Sequence, residues 1–168
     1  DAIYRSYSDG LEVLKDSGFN RYEVSAYSLP GRVSSHNLQY WRYGDYIGIG
    51  AGAHGKITIG KDIYRTKKTD SPTLYMKKFK ENRADSEKKL VSEEDALIEY
   101  AINITRLTDG FELSDLYDKT GIEPGSHEVD EKIIRAEKAG FFDRKGDVIK
   151  PTEKGQLFLN DLQLIFLN

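Results

Sequence analysis

The pattern of apolar and polar positions predicts a helix and then a strand at the start of the chain. Apolar residues recur at helical spacing as far as Gly18, which ends an amphipathic helix predicted over about residues 1 to 17. Residues 22–27 alternate in the manner of a strand, and Pro30 and Gly31 then open a polar loop predicted to extend to about residue 45. This order is typical of an α/β sheet, in which such loops hold ligands.

Alternating glycines mark a second predicted strand over residues 46–55. A strand face without side chains indicates close approach of a ligand or of another backbone, and both alternatives remain open. The glycine spacing does not match the dinucleotide-binding fingerprint, because no helix N-terminus follows to receive a pyrophosphate. Residues 56–59 and 62–66 flank a two-residue turn and predict a hairpin, after which Pro72 begins a short helix predicted toward residue 82.

The second half of the chain has a different pattern. Residues 83–90 are charged and turn-like, so we place a domain boundary there, between units 1–83 and 84–168. Ser92 predicts the start of a helix whose apolar face ends before Gly110, and two more helices are predicted over about residues 114–120 and 126–139. A hairpin over 141–150 and a last helix capped by Thr152 complete a winged-helix-like pattern.

Composition excludes several classes of protein. The 168 residues include no cysteine, so this sequence offers no disulfide, no cysteine nucleophile and no thiolate-held zinc or iron–sulfur cluster. No run approaches the roughly 18 apolar residues that a membrane span needs, and the absence of cysteine favours the cytoplasm. Because the chain begins with Asp1 inside a predicted helix, we expect it to be a fragment of a longer protein, without a signal sequence.

Charge argues against nucleic-acid binding by the predicted winged-helix-like unit. Residues 110–168 contain 8 Lys or Arg against 12 Asp or Glu, and the would-be recognition helix is also acidic on balance. Affinity for a phosphate backbone depends mostly on cations, so we expect no specific DNA binding. Residues 56–83 have the opposite sign, with 9 basic against 3 acidic residues. This stretch predicts either a solvated surface or a patch that meets carboxylates, phosphates or an anionic surface.

Residues 36–41 combine an imidazole, a phenol and the only tryptophan of the chain. Histidine is a common axial ligand of haem iron, and aromatic side chains supply apolar contact, so His36 with Tyr40 and Trp41 suits a large, flat, metallated ring. The alternative is a loop that Tyr40 and Trp41 pin to the fold, in which His36 is only hydrogen-bonded.

Three segments resemble a known family. They are Tyr-Glu-Val-Ser-Ala-Tyr at 22–27, His-Asn-x-x-Tyr-Trp at 36–41 and Asp-Tyr-Ile-Gly-Ile-Gly-Ala-Gly-Ala-His-Gly at 45–55. These motifs resemble the oxygen-independent coproporphyrinogen III oxidase-like radical S-adenosylmethionine proteins. His-Asn-x-x-Tyr-Trp resembles the HemW-type haem chaperones within that group. The resemblance continues to residues 155–160 and therefore covers essentially the whole chain.

The resemblance implies cofactors for the intact relatives. They begin with a partial (β/α) barrel whose C-x-x-x-C-x-x-C motif binds a 4Fe-4S cluster and S-adenosylmethionine. This chain has no cysteine, so that part is missing, and we expect the chain alone not to cleave S-adenosylmethionine. By the resemblance, Gly50, Gly52 and Ala53 lie beside the adenosyl group. His36 is then the haem contact and candidate iron ligand, with Tyr40 and Trp41 beside it.

We therefore expect an α/β plus α fold, with the C-terminal remnant of a (β/α) partial barrel followed by a winged-helix-like, mainly helical domain with a β-hairpin. The expected function is haem binding and delivery, with haem or a porphyrin and a haem-accepting protein as partners. Two alternatives remain, a genuine coproporphyrinogen III dehydrogenase and a non-enzymatic winged-helix regulator. A cut barrel exposes strand edges, so we also expect self-association.

Overall fold

A computed structural model describes residues 2–81 and 85–168, without the side chains of residues 3, 4, 85 and 86. Position 1 of the predicted first helix and positions 82–84 at the predicted boundary lie outside the described residues. The helices are α1 (Ala2–Asp16), α2 (Ser35–Trp41), α3 (Pro72–Lys80), α4 (Glu93–Ile104), α5 (Leu113–Thr120), α6 (His127–Lys138), α7 (Glu153–Leu157) and α8 (Leu159–Leu167). The strands are β1 (Asn20–Glu23), β2 (Ala26–Ser28), β3 (His54–Ile59), β4 (Asp62–Lys68), β5 (Asp85–Leu90), β6 (Phe111–Glu112), β7 (Phe142–Lys145) and β8 (Val148–Pro151).

The strands form three small antiparallel sheets. β1 pairs with β2, β3–β4–β5 form a meander, and β6–β8–β7 form a third sheet in that order. The mixture of helices with small sheets fits an α/β class of fold. β5 belongs to the same sheet as the β3–β4 hairpin, so strands on both sides of the predicted 83/84 division share one sheet.

The prediction of a single strand over residues 22–27 is wrong. The chain instead turns at Val24 and Ser25, and β1 and β2 pair as a tight hairpin. The Glu23 carboxylate stabilises this turn, because it accepts hydrogen bonds from the Ser25 backbone N–H at 2.9 Å and from the Ser25 hydroxyl at 2.7 Å. A side chain that bonds the backbone two residues onward favours a turn over an extended strand.

The polar loop predicted to extend to residue 45 contains a helix. α2 begins after Ser34, whose hydroxyl accepts a hydrogen bond from the Asn37 backbone N–H at 3.3 Å. This N-cap satisfies one of the donors that have no partner at the start of a helix. The residues of the predicted haem contact, His36, Tyr40 and Trp41, therefore lie on a helix and not in an irregular loop.

The predicted glycine strand over residues 46–55 is also wrong for most of its length. Tyr46 bridges to Lys56, residues 47–53 form a loop, and β3 begins only at His54. Gly48 explains the close fold of this loop, because a Cβ there would lie against the His54 carbonyl oxygen. Positive φ angles of 103° at Gly50 and 71° at Gly52 then take the backbone out of the extended conformation.

Two further boundaries differ from the prediction. Residues 85–90, predicted to be turn-like, form β5, which pairs with β4 from Tyr64↔Leu90 onward. The predicted final helix breaks at Phe158, whose φ of −109° and ψ of 45° separate α7 from α8. The predicted β3–β4 and β7–β8 hairpins, the helix starts at Ser92 and Thr152 and the helix end at Gly121 are confirmed.

The core surrounds α4. This helix buries Leu97, Tyr100 and Ile104 against α5 and α8, which in turn pack on α6 and the third sheet. Edge-to-face ring contacts continue this core from Tyr43 through Tyr100, Phe111 and Phe142 to Phe166. Such pairs add about 0.5–1.5 kcal/mol each beyond the area they bury.

Gly110 provides a test of this packing. Its φ is +78°, and a Cβ there would lie against the Ile149 carbonyl oxygen on β8. We expect Gly110→Ala to lower the free energy of unfolding by about 3 kcal/mol, measured by urea denaturation. Gly125→Ala is the matched control, because Gly125 has a φ of +82° and open space around it. Equal losses in the two variants would contradict the proposed close contact.

Candidate functional site

α2 presents one exposed aromatic face. The exposed His36 ring contacts the Tyr40 ring one turn later, edge to face, with centroids 5.0 Å apart. Tyr40 in turn contacts Tyr46, with centroids 4.7 Å apart. We call His36, Tyr40 and Tyr46 the ring series. It links α2 to Tyr46, which directly precedes the loop of residues 47–53, here called the glycine loop.

Trp41 has different surroundings from His36. It packs partly buried against the core, and the Arg106 guanidinium lies 4.3 Å from the centre of its ring. Arg106 also donates to the Glu23 carboxylate at 2.9 Å, and Glu23 is almost fully buried. The structure therefore brings His36 and Tyr40 together and places Trp41 against Arg106, where it anchors α2 to the residues that follow α4.

The glycine loop, residues 47–53, is held at its C-terminal end. The Gly52 N–H donates to the Thr69 carbonyl at 3.0 Å, and the Ala53 carbonyl accepts from the Lys68 N–H at 2.8 Å. Gly50 faces open space, since a Cβ there would meet no atom within 4 Å. The loop also exposes two large apolar side chains, Ile47 at 75% and Ile49 at 86%.

A charged junction connects the segment after α2 to α4 and to strand β4. The Glu99 carboxylate of α4 accepts a hydrogen bond from the Tyr43 hydroxyl at 2.6 Å and from the Arg65 guanidinium at 2.7 Å. Arg65 also donates to the Tyr46 hydroxyl at 2.8 Å. Burial, and then the bond to Glu99, raise the pKa of the Tyr43 hydroxyl well above its usual range, so Tyr43 stays a neutral donor.

A third ion pair, between Lys56 and Asp45, joins the residues before the glycine loop to the sheet. Lys56 is 2% exposed, and its ammonium donates to Asp45 at 2.9 Å and lies 4.1 Å from the centre of the Tyr43 ring. Asp45 also accepts hydrogen bonds from the Thr58 N–H and hydroxyl. Burial works against the charged carboxylate, but the bonds from Lys56 and Thr58 outweigh it and lower the pKa of Asp45.

The sequence did not indicate several residues of this site. Tyr43, Tyr46, Arg65, Glu99 and Arg106 connect its parts, yet their hydrogen bonds join residues that lie 19 to 83 positions apart in the sequence. The aromatic spacing of Tyr40, Tyr43 and Tyr46 was the one available signal. His54, at the start of β3, lines a cavity of about 400 Å³ on the face of the β3–β4–β5 sheet, together with Tyr46, Arg65 and Glu99.

The described residues contain no group of three or more His, Cys, Asp or Glu side chains arranged to hold a metal ion. No helix formed by residues 2–81 or 85–168 has the length and apolarity needed to cross a membrane.

Comparison with known proteins agrees with the site motifs. The chain is 38% identical over 167 residues to a protein of Buchnera aphidicola subsp. Schizaphis graminum named heme chaperone HemW, and 37% identical over 171 residues to heme chaperone HemW of Escherichia coli. Both alignments cover 99% of this chain and 43% of the relative, in its C-terminal part. The chain corresponds in sequence to the C-terminal part of HemW proteins. It spans less than half the length of the HemW proteins that it matches.

Other comparisons add to this result. Over 57 residues, 34% of the chain, the sequence is 48% identical to a mitochondrial radical S-adenosyl methionine domain-containing protein 1 of Mus musculus. The fold matches the radical SAM coproporphyrinogen III oxidase HemN of Escherichia coli with a TM-score of 0.63, at 14% identity, over 95% of this chain and 39% of that one. No family model matches. The HemN likeness establishes the fold alone.

The residues present do not fit every group that the HemW resemblance implies. A 4Fe-4S cluster is held by thiolates, and this sequence has no cysteine, so no cluster chemistry is assigned to this chain. The exposed imidazole of His36, with aromatic rings on one side, does fit a haem iron. The open space beside Gly50 fits close approach of a flat or bulky group.

Asp45 gives a pH-dependent test of the ion pair between Lys56 and Asp45. Its folded-state pKa lies below the unfolded value of about 3.9, so it stabilises the fold above that pH and loses this effect as the pH falls through the folded-state pKa. We expect Asp45→Asn to cost about 1 kcal/mol above pH 5, because the carboxylate is partly exposed. The gap from wild type should shrink below about pH 4.

The measurement is urea denaturation across this pH range, with Asp143→Asn as the control. Asp143 is an exposed carboxylate on β7. A gap between wild type and Asp45→Asn that stays constant down to pH 2, or one that Asp143→Asn reproduces, would show that the Asp45 charge is not the source of the stability.

Proposed function

We propose that this chain is the C-terminal part of a HemW-type haem chaperone and contributes the contact to haem. The observation that supports this proposal is the ring series, in which an exposed histidine on a short, capped helix contacts Tyr40, and Tyr40 in turn contacts Tyr46. The relatives that match the whole chain carry the name heme chaperone. Haem is the cargo, and a protein that accepts haem is the proposed partner.

His36 is the proposed iron ligand, because a neutral imidazole ligates haem iron and this ring is exposed. Tyr40 restrains the imidazole from one side by an edge-to-face contact. Trp41 acts mainly as an anchor, since its ring lies against Arg106 and the core. Ile47 and Ile49 provide exposed apolar surface on the loop that follows Tyr46, which suits the apolar faces of a porphyrin.

In the longer relatives, Gly50, Gly52 and Ala53 are proposed to lie beside the adenosyl group of S-adenosylmethionine. The absence of side chains at Gly50, where the backbone faces open space, supports this placement. The division into a barrel part, 1–83, and a C-terminal domain, 84–168, is likewise proposed. A cytoplasmic location and self-association through exposed strand edges remain predictions.

A genuine coproporphyrinogen III dehydrogenase is the second candidate, because the solved structure with the matching fold is named coproporphyrinogen III oxidase. That likeness is only 14% in sequence, whereas the HemW relatives are identical at more than a third of the aligned positions. The whole-chain similarity therefore favours the chaperone. An activity assay on a full-length protein with a reconstituted cluster separates the two candidates.

A winged-helix-like role for the C-terminal part is supported by its topology. The element order α4–β6–α5–α6–β7–β8 and the sheet order β6–β8–β7 support a winged-helix-like arrangement of helices and a hairpin. α6 occupies the place of the recognition helix, and its first turn contains Glu128 and Asp130. These carboxylates would repel phosphate, so we propose that this unit packs against the rest of the protein and does not bind DNA.

Titration of haemin into the purified chain tests the proposed function. We expect His36→Ala to remove or shift the Soret band and to weaken haemin binding about tenfold or more, because the iron loses its protein ligand. The fold should be retained, since the His36 side chain is exposed. Circular dichroism and urea denaturation check this point.

The chain contains two further histidines, which serve as matched controls. His127→Ala, at the start of α6, should bind haemin as wild type does. His54→Ala tests the other position near the ring series, because His54 and Tyr46 line the same cavity. Equal affinity of wild type and His36→Ala would refute the ligand assignment, and a loss in His54→Ala alone would move the site to the sheet.

A further inference from the structure

A second face of α2 lines a cleft that the proposed haem contact does not use. This cleft, of about 440 Å³, lies between α2, the residues that follow it and α5. Its lining residues are Ser35, Leu38, Gln39, Arg42, Gly44 and Lys119. None of them is acidic, and two are cations.

The two cations differ in how they are held. Lys119 donates to the Arg42 carbonyl at 2.7 Å and pairs with Asp115 at 3.0 Å, so its ammonium is fixed at the cleft. Arg42 is exposed, and within the described part of the chain no carboxylate pairs with its guanidinium. An arginine without a counterion presents a planar fork of donors that matches a carboxylate.

The cleft is next to the ring series on the same helix. Ser35 and Gln39 line the cleft, and His36 and Tyr40 directly follow them in the sequence. Successive helical residues are rotated by about 100°, so the face of α2 that carries Ser35 and Gln39 adjoins the face that carries His36 and Tyr40. A ligand whose flat body meets His36 can therefore extend a polar edge toward Arg42.

We infer that this cleft binds the propionate carboxylates of the tetrapyrrole whose iron meets His36. The inference rests on the proposed function and adds the part of the molecule that recognises the polar edge of haem. Arg42 supplies a charged, bidentate contact, and Lys119, held by Asp115 and the Arg42 carbonyl, lies beside it as a supporting donor. Leu38 gives the cleft an apolar wall beside these cations.

The cavity on the β3–β4–β5 sheet is a weaker candidate for the same carboxylates. It contains cations, but Glu87 and Glu99 also line it. Arg65 is already paired with Glu99, and Lys67 is paired with Asp70 at 2.9 Å. An incoming carboxylate would have to compete with these internal partners, whereas Arg42 has none within the described segments.

The test compares haemin with haemin dimethyl ester, in which the propionates are neutral. We expect Arg42→Gln to weaken haemin binding about three- to fivefold, which is the range for one partly solvated ion pair. The ester should bind wild type and Arg42→Gln equally. Arg135→Gln is the matched control, because Arg135 is an exposed arginine on α6 and its loss changes the net charge equally. Lys119→Gln should act in the same direction as Arg42→Gln.

The outcomes separate this inference from the proposed function. If His36→Ala loses haemin but Arg42→Gln behaves as Arg135→Gln does, the carboxylate site is refuted and the haem contact stands. If the ester binds wild type as tightly as haemin does, the inference fails without any variant. Competition by inorganic phosphate against haemin and ester alike would show a general anion site and refute it. If His36→Ala binds haemin normally, the assignment of His36 as the iron ligand fails, and this inference, which places the iron at His36, fails with it.

Discussion

The Glu99 carboxylate joins three parts of the chain that lie far apart in sequence. It accepts hydrogen bonds from Tyr43, directly after α2, and from Arg65, on the central strand of the β3–β4–β5 sheet. Glu99 itself lies on α4, which forms the centre of the hydrophobic core. Breaking these hydrogen bonds is costly, because the partly buried carboxylate and its two donors would each be left without a polar partner away from water. The position of α2 therefore depends on this junction.

α2 is a short helix that could not persist alone, since it has only seven residues. Three contacts hold it: the Ser34 cap at its start, Tyr43 at its end and Trp41 against Arg106 on its inner side. Tyr43 even adopts a left-handed φ of 55° while almost fully buried, which indicates that the surrounding contacts determine its conformation. With the inner side fixed, His36 and Arg42 both face outward.

Local signals predicted much of the fold, and long-range pairing explains the error at β5. Ser92, Thr152 and Gly121 mark helix ends by chemistry that acts within a few residues, so the sequence was sufficient there. β5 is charged and offers no strand pattern, and its pairing with β4 becomes visible only in three dimensions. The same holds for the site. His36 and Tyr40 were predicted from their motif, whereas nothing near Glu99 in the sequence indicates that it supports them.

Hydrogen exchange of the backbone amides in Glu99→Gln tests most directly whether the junction holds α2. We predict faster exchange for residues 36–46, because Tyr43 and Arg65 lose their charged acceptor. The amides of α6 should exchange as in wild type, since α6 packs mainly against α8 and β7. Unchanged exchange in α2, or an equal acceleration in all helices, would contradict the account.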